Sequence, residues 1–204
     1  MGKKTTSIDK IISTATIVFA ESGFAGARVD DIAKRAGVNK ATIYYKIGNK
    51  NSLYSAVLKS MFEKQLNMFE AILKKANGPE ESLKIYIKSI AKAIDNNPCF
   101  PNILMWEHAS GGTNLPTDII LIITKMLNIL IKILDDGEKE GLFKQRNPVL
   151  VQMMIIAVMT FFKTSAPIRN NHIEFPEIAR TQPEKLSGSI AEELEELIFN
   201  GIKQ

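Results

Sequence analysis

The residues richest in chemistry lie in one short run, Asn39-Lys-Ala-Thr-Ile-Tyr-Tyr-Lys46. Two ammonium groups, a hydroxyl and two phenols fall within about two helical turns. Such a set can donate hydrogen bonds to phosphate oxygens and to base edges, and a helix of that length fits a major groove. Asn39 is a favoured N-cap, so a helix from about Lys40 to Lys46 is expected. Neighbouring helical positions point about 100° apart, so Tyr44 and Tyr45 cannot be buried equally. Tyr44 is expected to bond phosphate and Tyr45 to approach bases. Lys40 and Thr42, near the helix start, are further base-edge candidates, and Lys46 would fix register. Lys50 stands in the first turn of the next helix, where a cation opposes the dipole. That local cost points to an anionic partner, most simply phosphate.

These side chains need a platform. A helix from about Arg28 to Ala36 precedes them, with Val29, Ile32 and Ala33 turned inward. Ala33 is small enough for two helices to cross closely. Gly37 can take the positive φ that ends a helix abruptly, and Ile43 points from the second helix into the core. Two short helices joined by a tight turn, the second basic and aromatic, make a helix-turn-helix. Charge agrees with this reading. Residues 1–50 carry nine Lys/Arg against four Asp/Glu, whereas residues 51–204 carry seventeen against eighteen. The positive excess of the chain thus lies with the proposed reading helix, as phosphate binding requires.

The remainder is expected to be all-α, because apolar residues recur at helical spacing with no strict alternation. A first helix spans about Ser7 to Ser22, with Thr6 and Asp9 as a capping box and Ile8, Ile11, Ile12, Ala15 and Phe19 on one face. Gly23 ends it. Asn49 can cap a long fourth helix carrying Leu53, Val57, Met61, Leu66, Phe69 and Leu73. Further helices are expected over about Glu80–Asp95, Pro101–Ala109, Pro116–Glu140, Pro148–Lys163 and Glu184–Ile202, the last with Ile190, Leu194, Leu197 and Ile198 as its apolar stripe. The polar stretch Ala166–Pro183 holds three prolines and is expected to be a loop with at most a short helical piece. The run Glu192-Glu193-Leu194-Glu195-Glu196 reads as a solvated face.

At 45% hydrophobic, the 204 residues can bury a sizeable core. One cysteine, Cys99, leaves no intramolecular disulfide, which suits a reducing cytoplasm. The apolar stretches 119–134 and 149–162 are shorter than the roughly 20 residues a membrane span needs, so no membrane partner is expected. His108 and His172 stand apart from each other and from Cys99. No metal-ligand spacing results, and neither a metal nor a cofactor is expected. Paired catalytic carboxylates, a nucleophile elbow and a phosphate-cradling glycine loop are all missing, so no catalytic residue is assigned and the chain is not expected to be an enzyme.

From Ile11 to Leu58 the sequence resembles the TetR family of bacterial transcriptional regulators. The resemblance rests on Phe19-Ala-Glu-Ser-Gly-Phe24, Val29-Asp-Asp-Ile-Ala33, Ala36-Gly-Val-Asn-Lys40, Thr42-Ile-Tyr-Tyr45 and Asn49-Lys50 with Leu53. There are departures. Ala27 stands where the family usually has Thr, and Arg28 can supply the phosphate contact instead. Lys46 and Ile47 replace a usual His and Phe, and Asn51 a common Glu. The resemblance implies a three-helix DNA-binding domain over residues 1–48 and a helical ligand-binding and dimerisation domain over 49–204. It implies a homodimer made by the last two long helices. It further implies release from a pseudo-palindromic double-stranded operator by a small, hydrophobic effector.

The family places its pocket among the central helices of the body. Phe69, Tyr86, Trp106, His108, Met126 and Phe161 are therefore ligand candidates, and a methionine-rich interior suits varied apolar ligands. The competing readings are a helical small-molecule-binding protein or an enzyme without DNA binding.

Overall fold

Three asparagines start three helices. In the computed structural model, which describes residues 7–180 and 185–203, the Asn39 side chain accepts from the Ala41 backbone N–H at 2.9 Å. Asn49 accepts from the Ser52 N–H at 2.9 Å. Asn147 accepts from Val149 and Leu150. Each satisfies donors that a helix N-terminus leaves orphaned. Among the described residues every regular element is a helix: α1 (Ser7–Gly26), α2 (Val29–Ala36), α3 (Lys40–Lys46), α4 (Lys50–Leu73), α5 (Pro79–Asn96), α6 (Phe100–Ala109), α7 (Thr117–Lys139), α8 (Pro148–Thr164), α9 (Ala166–Asn171), α10 (Glu177–Arg180) and α11 (Ser189–Ile202). Thr6 of the expected capping box lies outside the described residues.

The chain divides into two units. One runs to Glu63 and takes in Asn102–Leu121; the other holds Lys64–Pro101 and the chain from Ile122 onward. The first unit therefore contains α1–α3, the first half of α4, α6 and the start of α7. Its core is built from Ile11, Ala15, Phe19, Ile32, Ala33, Ile43, Leu53 and Val57. An aromatic cluster joins them: Phe19 and Tyr54 have ring centroids 4.7 Å apart, Phe24 and Tyr54 5.1 Å.

In the second unit α5 packs on α8 and α11. Leu83, Ile87 and Ile94 of α5 are buried beside Ile155 and Met159 of α8 and Leu194 and Ile198 of α11. After α7 the chain turns at Gly141 and lays Phe143 back against Gly137, whose carbonyl accepts from both the Leu142 and Phe143 N–H groups. The Phe143 ring is fully buried and meets Phe199 edge-on at 6.0 Å.

Five sequence expectations need correction here. The stretch after Ala166 holds two short helices, α9 and α10, rather than one helical piece. Arg169 ties them together: its guanidinium donates to the Ala179 and Phe162 carbonyls and sits over the Phe162 ring. The last helix starts at Ser189, not near Glu184, because the N–H groups of Leu186 and Ser187 both donate to the Asp95 carboxylate at 2.9 Å. Leu197 leaves the buried stripe and is 65% exposed, while Phe199 and Ile202 complete it. Glu195, read as solvated, is largely covered and lies within 3.6 Å of Lys84 and Lys88. The apolar segment 148–171 is also longer than the sequence reading allowed, and by length and composition alone it would reach across a bilayer. It carries the buried polar residues Gln152 and Thr160 and the anchored Arg169.

Asp95 yields a stability prediction. Burial works against its charge, but the Ser187 and Leu186 N–H groups, with Lys163 nearby, outweigh burial and hold the carboxyl below its usual range. A carboxyl depressed in the fold stabilises it above the unfolded pKa of about 3.9, and that stabilisation is lost as pH falls through the folded value. Asp95→Ala is expected to cost about 1–3 kcal/mol at neutral pH, because two backbone donors lose their acceptor. Thermal unfolding should show the gap between wild type and variant narrowing below about pH 4.

Candidate nucleic-acid interface

The reading helix α3 is seated by one side chain. Ile43 is fully buried, while Tyr44 is 47% and Tyr45 91% exposed. Its approach is set by the turn before it. Gly37 sits at φ 66° with its N–H on the Lys34 carbonyl, and the Val38 N–H reaches the Ala33 carbonyl. That pair of bonds is the Schellman arrangement, which stops α2 and lets α3 leave at a fixed angle. A phenol as exposed as Tyr45 contributes nothing to the core beneath it, so its surface is available to a partner.

The cations around α3 differ in what already holds them. The Lys40 ammonium pairs with Asp30 at 2.9 Å, and the hydrogen bond to Asp30 raises its pKa. An exposed pair of this kind is weak and can be exchanged for a phosphate. Lys46 donates to the Ser7 hydroxyl at 2.5 Å and stays exposed. Arg28 is the exposed N-cap residue of α2, with no side-chain cap bond. Thr42 is half-buried beside Ile43. Lys50 is turned toward the head: its ammonium lies 3.3 Å from the Ala25 carbonyl and 4.6 Å from the Phe24 ring centre. Partial burial lowers its pKa. Lys50 thus already has internal partners, which the sequence alone did not indicate.

The six ligand candidates are divided between the two units. Phe69, Tyr86 and Met126 belong to the second unit and come together there. Phe69 meets Tyr86 edge-on at 5.1 Å, and the Tyr86 hydroxyl donates to Gln152 Oε1 at 2.6 Å, with the Met126 carbonyl at 3.2 Å as a weaker acceptor. Burial pushes the Tyr86 hydroxyl far above its ordinary pKa, so it stays a donor. Phe161 is on the exposed side of α8. Trp106 and His108 lie in the first unit, with His108 exposed.

Trp106 packs on α1. Its indole N–H donates to the Ala20 carbonyl at 3.2 Å, and its ring lies over Gly23. The next residue, Glu107, is buried, with Oε1 accepting from the Tyr54 hydroxyl at 2.6 Å and Oε2 unpartnered among the described residues. Burial first, and then Glu107, drive the Tyr54 hydroxyl far upward in pKa. Asp118 at the start of α7 pairs with Lys59 of α4 at 2.5 Å. Helix α6 is therefore fastened to α1 by the indole N–H and ring of Trp106, and to α4 by the buried acid Glu107. One signal in the sequence pointed this way: Glu107 stands four residues after the buried Ile103, on the same helical face.

Residues 11–57 match the model of the bacterial regulatory proteins of the tetR family, and residues 79–202 the tetracyclin repressor-like C-terminal domain. The HTH-type transcriptional repressor NicS of Pseudomonas putida is 28% identical over 160 residues, covering 77% of this chain and 75% of its own. The transcriptional regulator FadR of Bacillus subtilis, solved with stearoyl-CoA, is 25% identical. It covers 91% of this chain and 96% of its own, with a TM-score of 0.66. The ketosteroid regulator KstR2 of Mycobacterium tuberculosis superposes over all of this chain and 98% of its own, with a TM-score of 0.76 at 18% identity. With both family models matched in order and the reading helix seated as described, the chain belongs to the TetR family of bacterial regulatory proteins and is a DNA-binding transcriptional regulator.

Proposed function

We propose that the protein is a repressor that holds a pseudo-palindromic operator as a homodimer and lets go when a small hydrophobic molecule enters its body. The observation that carries the DNA reading is Tyr45, 91% exposed on a helix whose opposite side is anchored by the fully buried Ile43. Tyr44, Lys40, Lys46 and Arg28 surround it with phosphate donors. Thr42 and Tyr45 are the base-reading residues, and Lys50 ties the start of α4 to the end of α1.

A second copy is favoured by the outer side of α8. Leu150, Met154, Val158 and Phe161 recur along one stripe and are 40–62% exposed, and α11, which touches α8, adds the exposed Leu197. An apolar stripe of that size on one chain calls for cover. Two copies would carry two reading helices, as a site of two half-sites requires.

The effector reading is supported by Tyr86 and Gln152. Together they form a buried polar pair beside the Phe69 ring. A largely apolar molecule with one polar group would satisfy both parts. The FadR relative was solved with stearoyl-CoA, an apolar acyl chain joined to a large polar head.

The test is selection of duplexes from a random pool by the purified protein, followed by fluorescence anisotropy. Tyr45→Ala is expected to cut the preference for the selected duplex over a scrambled one by about tenfold or more, the size of a lost base contact. Equal affinity of the wild-type protein for every duplex offered, or no binding at low salt, would end the repressor reading.

A further inference from the structure

The cations of the head sort by whether the head has already neutralised them. Arg35 is held by Glu21 at 2.7 Å and by Asp31 at 3.0 Å. Lys40 is held by Asp30. Lys50 rests on a carbonyl and a ring. Lys10, like Arg28 and Lys34, is exposed and makes no ion pair or side-chain hydrogen bond among the described residues.

Lys10 nevertheless has a defined place. Its Nζ lies 3.5 Å from the point that a Cβ on Gly37 would occupy, so it stands over the turn leading into α3. Two carbonyls at that end of α2, those of Ala33 and Lys34, are already taken by the Val38 and Gly37 N–H groups, and among the described residues no hydrogen bond joins Lys10 Nζ to the others. The ammonium is therefore not required to cap α2. One turn earlier on α1, Ser7 receives the Lys46 ammonium from the far end of α3. The first turn of α1 thus lies alongside the reading helix, with a lysine at each end: Lys10 by its start and Lys46 by its finish.

We propose that Lys10 is a phosphate-binding residue of the DNA interface, and that it and Lys46 bracket α3 with two backbone contacts that fix its depth and register. The inference rests on the DNA-binding reading above. A lysine contacts phosphate as a point charge, so Lys10 would add affinity without sequence preference.

The experiment uses the full-length chain and the duplex it selects, with anisotropy titrations across a range of salt concentrations. Each phosphate contact contributes about 0.9 to the slope of log K against log salt, so a dimer losing two should show a slope shallower by about 2. Lys10→Ala and Lys10→Gln are both expected to do this. They should weaken selected and scrambled duplexes by the same factor, and Lys10→Arg should restore the slope. Lys92→Ala, an exposed lysine on α5, serves as the control and should leave the slope unchanged. If wild type binds and Lys10→Ala keeps its slope, the assignment of Lys10 is overturned while the DNA reading stands. A change in sequence preference at constant slope overturns it equally. If wild type binds no duplex, the DNA reading itself fails.

Discussion

Gly137→Ala is expected to lower the melting temperature by about 6–15 °C, from a loss of about 3–5 kcal/mol. A Cβ at that position would lie 2.0 Å from Phe143 Cδ2 and 2.4 Å from Cε2, far inside contact distance. Phe143 has no room to yield, because it is fully buried and packed on Phe199. Its N–H is also fixed to the Gly137 carbonyl. Ala has the better helix propensity, by about 1 kcal/mol, but that gain is several times smaller than the cost of evicting a buried phenylalanine. Calorimetry on Gly137→Ala, Phe143→Ala and the double variant separates the terms. The double variant should cost clearly less than the two singles together, since removing the ring removes the clash. A Gly137→Ala variant as stable as wild type would show that the 141–143 turn can relocate freely.

Gly23→Ala is expected to have the second largest effect, and it acts on the head. Gly23 has φ 66° and ψ 178°, a combination essentially confined to glycine. Forcing an L side chain into it costs about 1–3 kcal/mol. The added Cβ would also meet Trp106 Cδ2 at 2.9 Å and two more ring carbons at 3.1 Å. The indole must then lift, which breaks its bond to the Ala20 carbonyl. Trp106 is the single tryptophan of the chain, so its emission reports this contact alone. The expected result is easier quenching by acrylamide together with a lower melting point. Unchanged quenching would mean that the ring is not held as described.

The helix-turn-helix was legible in the sequence because its determinants are local. Asn39, Asn49 and Asn147 cap within three residues of themselves. The turn glycine at position 37 and the buried Ile43 follow from spacing alone. What escaped detection depends on partners remote in sequence. The start of the last helix is set by Asp95, more than ninety residues away from Ser187. Two short helices among prolines persist because Arg169 ties them to carbonyls that no pattern advertises. The sequence marks Lys50 as a free cation; the fold turns it onto Phe24. The partners of Trp106, Ala20 and Gly23, lie more than eighty residues away from it.

The greasy stripe of Leu150, Met154, Val158 and Phe161 also bears on dosage. A regulator that must couple with a twin to hide such a surface obeys mass action: when scarce, its twinned form grows with the square of chain abundance. Halving the number of copies per cell would then leave about a quarter of the active species. Target genes would answer small swings in expression far more sharply than a lone reader allows.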